Sequence, residues 1–150
     1  MDIALKMASK QDCDLLFDWA NDKAVRENSF SSHKILYEDH IKWFNDKINS
    51  NKCFVFILKF KGNSAGLVRI DVEDKKAIIS YSIDKNYRGR GLSKVMLDLL
   101  ETEVVNNKIS INNLIGLVKF ENVASQKVFE SLKYNKIICN EFLEYEKYLE

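Results

Sequence analysis

The segment Tyr87-Arg88-Gly89-Arg90-Gly91-Leu92-Ser93 constrains this chain more than any other, because it carries two of only five glycines between two different hydrophobic periodicities. Before it, Lys76 to Ile83 alternates as a β-strand does. After it, Leu92, Val95, Met96, Leu99, Leu100 and Val104 recur at 3.6-residue spacing, which predicts a helix to about Asn107. A strand, a glycine-arginine turn and a helix N-terminus together make a phosphate cradle. Glycine lets the backbone approach a ligand closely. The first helical amides have no partners inside the helix, and the helix dipole places roughly half a positive charge there.

The rest of the chain reads as alternating elements. Ile3 to Ala8 is a first strand. Ser9 and Asp12 form a capping box for a helix over about Lys10–Asn21. Asn21 to His33 is polar and irregular, and a second helix spans Tyr37–Asn49. Cys53–Phe60 is a nearly unbroken apolar run, hence a buried strand. Lys61-Gly62-Asn63-Ser64 turns into a strand over Ala65–Asp71, and a turn centred on Glu73-Asp74 returns the chain antiparallel. That register sets Arg69 opposite Ile78, on one face with Ser80. Beyond the glycine segment come a strand (Leu114–Phe120), a helix (about Asn122–Leu132) and two closing strands (Lys136–Cys139 and Phe142–Tyr148). This order implies an α+β fold, a central mixed sheet in one domain over 1–150.

Composition excludes several classes. A net charge of +1 supplies no global field for nucleic acid or an anionic membrane, so any basic site is local. Cys13, Cys53 and Cys139 are scattered and odd in number, which argues against a disulfide framework or a zinc site. Reduced thiols, an N-terminus without an apolar signal run and the absence of a ~20-residue apolar span predict a cytoplasmic location.

The element order and two motifs resemble the GNAT N-acetyltransferase superfamily. The main signature, Arg/Gln-x-x-Gly-x-Gly/Ala, stands here as Arg88-Gly89-Arg90-Gly91-Leu92-Ser93, with Ser93 in the last small position. The second, an asparagine opening the next helix, is Asn122-Val123-Ala124-Ser125. The resemblance implies a mostly antiparallel sheet flanked by about four helices, with acetyl-CoA as co-substrate and no metal. It implies that the amides of Gly89, Gly91, Leu92 and Ser93 hold the pyrophosphate, and that Arg88, Arg90 and Lys94 screen its charge or reach the ribose phosphate. The backbone of Tyr81, Ser82 and Ile83 would pair with the pantetheine, and Asn122 and Ser125 would touch it from across the cleft. Asn122 also reads as a plain helix N-cap.

The family's usual helpers are missing. Its tyrosine acid falls seven residues after the motif asparagine, where this chain has Phe129. Its carboxylate-base positions hold Ile78 and Leu117. A thiol has a reference pKa of about 8.5, so the thiolate leaves tolerably without an acid. His40 and Glu121 are the remaining acid–base candidates. His40 also reads as a surface helix residue and Glu121 as a solvated first-turn acid.

The resemblance implies a primary amine as the acceptor. Clusters at Trp19-Ala20-Asn21-Asp22, Val25 to Phe30, His40 to Phe44 and Gly66 to Asp71 resemble the small acetyltransferases of nucleotide-linked amino-sugar (pseudaminic-acid-type) pathways. Ribosomal-protein N-terminal acetyltransferases share part of the pattern, and a non-catalytic acetyl-CoA-binding module is the reading from another class. Substrate-side candidates are Trp19, Asn21, Arg26, Phe30, Arg69 and Ser80, with Arg26 or Arg69 gripping a substrate phosphate. The superfamily often forms homodimers, which no residue here establishes.

Overall fold

The computed structural model describes residues 2–149. Strands β1 (Ile3–Met7), β2 (Cys53–Phe60), β3 (Asn63–Glu73), β4 (Lys76–Ile83), β5 (Asn113–Val118), β6 (Asn135–Ile138) and β7 (Leu143–Tyr148) form one sheet in the order β1-β2-β3-β4-β5-β7-β6. Only the β4–β5 pair is parallel. The helices are α1 (Cys13–Ala20), α2 (Lys23–Asn28), α3 (Tyr37–Asn49), α4 (Leu92–Asn106) and α5 (Val123–Ser131).

Strand alternation divides the core between the two sheet faces. Phe56, Leu58, Val68 and Ile70 pack against Met96, Leu97 and Leu100 of α4 and Phe129 of α5. Cys53, Val55 and Ile57 point the other way, onto Leu16 and Trp19 of α1 and Phe44 of α3. The buried Cys53 thiol is pushed up to about 11 by desolvation and by the Asp71 charge, so it remains a protonated apolar filler.

Two local expectations change. The stretch expected to be irregular contains α2, for which Asp22 Oδ1 accepts from the amides of Ala24 (3.1 Å) and Val25 (3.3 Å). This helix has six residues and buries none of them, so it has no apolar stripe to betray it. The β3–β4 turn falls on Asp74-Lys75, where Asp74 takes a left-handed φ of 56°. Arg69 therefore opposes Ser80, and Ile78 opposes Asp71. The register moves by two residues, so each side chain keeps its expected face.

One feature of the sheet creates the site. The β4–β5 ladder runs only from Lys76↔Asn113 to Ile79↔Gly116. Past that point β4 continues to Ile83 with a strand neighbour only on its β3 side. At the last paired position Gly116 lies under Phe129, and a Cβ there would overlap the aromatic ring.

Candidate functional site

The loop between β4 and α4 is built from short-range bonds. Asp84 caps a 3-10 turn (Lys85–Tyr87) by accepting from the Asn86 amide at 2.8 Å, and its other oxygen accepts from Trp19 Nε1 at 2.8 Å. Gly89 and Gly91 then take φ of 77° and 73°, a region that strains any residue with a Cβ. Gly91 is the N-cap of α4, and no side chain of the described residues caps this helix. Leu92 anchors its first turn in the core. The opening amides of a 15-residue helix are thus left without side-chain acceptors, at the positive end of its dipole. Around both glycines there is open space where a Cβ would stand. This geometry suits a diphosphate.

The flanking cations are not equivalent. Arg88 donates through Nη2 to Asp22 Oδ1 (2.7 Å) and through Nε to the Ile83 carbonyl (3.0 Å). It ties the loop to the cap of α2, so its charge is already matched. Burial raises the Asp22 carboxyl, but the Arg88 bond and the Val25 and Ala24 amides outweigh this and hold it below the usual carboxylate range. Arg90 lies over the Tyr87 ring, 5.3 Å from its centroid, and is not among the residues lining the cleft. Lys94 does line it, and its side chain makes no hydrogen bond or ion pair with a described residue.

From the loop a cavity of about 790 Å³ runs along β4 and on beneath α2, a size typical of small-molecule sites. Tyr81, Ser82 and Ile83 line it, as do Asn122, the N-cap of α5, and Ser125 in its first turn. Asn122 Oδ1 accepts from the Ser125 amide at 3.1 Å, as an N-cap does. Across the opening between β4 and α5 the Tyr81 hydroxyl meets Ser125 Oγ at 2.7 Å. Tyr81 entered the sequence reading only for its backbone, because strand alternation alone does not reveal that its hydroxyl reaches a helix 44 residues away.

The acid–base candidates lie elsewhere. His40 is only 2 % exposed, not a surface residue as its helix position suggested. Its Nε2 lies 2.8 Å from the Cys13 carbonyl, and its ring sits between Phe17, Trp43 and Phe44. Neither His40 nor the exposed Glu121 lines the cavity. Ile78, Leu117 and Phe129, at positions where the resemblance implies acid and base groups, all do.

Where the cavity runs beneath α2, Arg26 donates four hydrogen bonds: to the carbonyls of Ala20 (2.6 Å), Ser31 (3.0 Å) and His33 (3.2 Å) and to Ser29 Oγ (3.2 Å). A guanidinium has five N–H donors, so this one is nearly saturated in holding the loop after α2. Arg69 is differently placed. It donates through Nε to Asp71 (2.9 Å) and through Nη2 to Ser80 Oγ (3.2 Å), and it stacks 5.0 Å over Trp43. Its Nη1 bonds no described residue. Asp71 also accepts from Lys47 at 2.6 Å, so the three groups sum to one positive charge. Burial raises the Asp71 carboxyl, but its two cationic partners outweigh this and hold it low. Phe30 and Ser80 line the cavity. Trp19 is core, and Asn21 is spent on both backbone groups of Ile35 (2.8 and 2.7 Å); neither lines it. Among the described residues no Asp or Glu lines the cavity, whereas Arg26, Arg69, Arg88 and Lys94 do.

Comparison with known proteins agrees with this architecture. No curated protein sequence matches the chain significantly. Among solved structures it is similar to the spermidine N-acetyltransferase of Vibrio cholerae in complex with CoA and spermine (TM-score 0.85, 13% identity, 97% of this chain and 95% of that one). It is also similar to a ribosomal L7/L12 alpha-N-protein acetyltransferase in complex with coenzyme A (TM-score 0.84, 17% identity, 98% and 94%). A third is the aminoglycoside enzyme AAC(6')-Ib with paromomycin and acetyl-CoA (TM-score 0.82, 12% identity, 99% and 94%). At such identities the likeness carries the fold alone. Residues 2–135, however, match the model of the acetyltransferase (GNAT) domain, and on that match the chain belongs to the GNAT acetyltransferase family.

Proposed function

We propose that this acetyltransferase moves an acetyl group from acetyl-CoA to the primary amine of a nucleotide-linked amino sugar. Acetyl-CoA supplies the acetyl group already activated as a thioester. The loop amides of Gly89, Gly91, Leu92 and Ser93 hold its diphosphate, with Lys94 adding charge. The unpaired edge of β4 at Tyr81–Ile83 receives the pantetheine, opposite Asn122 and Ser125. With Ile78, Leu117 and Phe129 in the cavity wall, and no carboxylate or histidine lining it among the described residues, the proton of the amine leaves to solvent.

One observation carries the choice of acceptor: among the described residues, the cleft is lined by cations and no carboxylate. A polycationic amine such as a polyamine or an aminoglycoside needs carboxylates to match its charge. A nucleotide sugar brings a diphosphate for the free edge of Arg69 and a base for stacking against Phe30, which is exposed at the cleft. The test is release of free CoA thiol with a panel of 4-amino-sugar nucleotides, N-terminal peptides and spermidine. Turnover should be fastest with the nucleotides, and Arg69→Glu should abolish it while leaving acetyl-CoA affinity intact. Preference for spermidine, or full turnover by the Arg69→Glu variant, would contradict this assignment.

A further inference from the structure

The wall that lacks the family's acid and base groups still holds a donor. Tyr81 and Ser125 are hydrogen-bonded to each other at 2.7 Å, and neither hydroxyl bonds any other described residue. Two hydroxyls carry two hydrogens. Their mutual bond uses one, so one O–H is left over, and both residues line the cavity. The pair also stands where the sheet opens, two residues past the last β4–β5 pair at Ile79↔Gly116. Phe129 packs edge-on to the Tyr81 ring at 6.0 Å and fixes its orientation. The Asn122 cap fixes the first turn that carries Ser125.

We infer that the Tyr81–Ser125 hydroxyl pair is the proton donor to the departing thiolate, in place of the acid that Phe129 cannot supply. The inference rests on the acetyl-transfer reading but not on the identity of the amine. The acceptor nitrogen forms the new C–N bond, and the C–S bond breaks with its electron pair going to sulfur. The spare hydroxyl proton passes to that sulfur, giving the free thiol. The proton shed by the nitrogen returns through solvent and restores the hydroxyl, so the products are amide and thiol with no net change in the enzyme. Burial raises the Tyr81 phenol above its ordinary range, although the Ser125 bond pulls the other way, so the pair stays protonated at neutral pH.

Two measurements on Tyr81→Phe test this, with unchanged thermal stability as the control for folding. The first needs no turnover: affinities for CoA and for desulfo-CoA are compared at pH 9, above the reference thiol pKa of about 8.5. The wild type should prefer CoA by about tenfold, the scale of one hydrogen bond to a charged group, and Tyr81→Phe should lose most of that preference. The second is kcat with whichever amine the wild type accepts best. It should fall about 100-fold, the lower end of general-acid effects, and Ser125→Ala should shift both readouts the same way. An unchanged CoA preference together with an unchanged kcat in Tyr81→Phe would overturn the inference, as would a wild type that does not distinguish CoA from desulfo-CoA. Loss of CoA preference with no turnover of any amino-sugar nucleotide would support the donor and count against the acceptor assignment alone.

Discussion

Four cationic side chains line the cleft, and their hydrogen bonds give them different work. Arg26 is nearly saturated by backbone carbonyls and organises a loop. Arg88 is matched by Asp22, while Arg69 keeps one edge free and Lys94 the whole of its ammonium group. The Arg88–Asp22 pair joins the glycine loop to α2, so its titration is a stability term. Because the folded Asp22 carboxyl lies below its ordinary value, the native state favours the carboxylate. That contribution is present above about pH 4, the reference value for the unfolded chain, and is lost as pH falls through the lower folded value. Asp22→Asn should therefore be less stable than wild type in urea melts at pH 7, with the gap narrowing as the pH falls below about 4. A gap that widens on acidification would contradict this sign.

At the scale of elements, the site depends on a sheet that stops pairing at Ile79↔Gly116 and on a helix that begins without a side-chain cap. Phe129 occupies the space above Gly116, so Gly116→Ala should overpack that contact. The expected loss is about 1–3 kcal/mol in denaturant melts, the usual range for an added methyl in a filled core. Stability equal to wild type would show that the ring yields freely. The sequence announced α3, β2 and β4 at their true bounds, because a continuous apolar run or a stripe at fixed period marks each of them. It concealed α2, whose only local signal is the Asp22 cap, and it misplaced the β3–β4 turn, because Asp74 adopts a left-handed conformation that glycine more often announces. The glycine loop was legible because Gly89 and Gly91 meet a local backbone demand. The Tyr81–Ser125 bond was not, since it joins residues 44 apart and depends on where the sheet opens.

For the molecule as a whole, a net charge of +1 leaves steering to local groups, and four cationic side chains line the cleft. Among the described residues no helix is long and apolar enough to cross a membrane. The two cores on opposite faces of the sheet hold α1, α3, α4 and α5 in place, and α2 and its loop are joined to them largely by polar bonds from Arg26 and Asp22 and by Lys119 Nζ on the Glu27 carbonyl at 3.0 Å. Everything about the assigned chemistry depends on the amides that open α4 gripping a diphosphate. A titration with CoA followed by backbone amide chemical shifts tests this most directly. The largest changes should fall on Gly89, Gly91, Leu92 and Ser93, accompanied by about 2.7 kcal/mol of added stability at 100 times the dissociation constant. Saturating CoA that leaves those four amides unmoved would contradict the account.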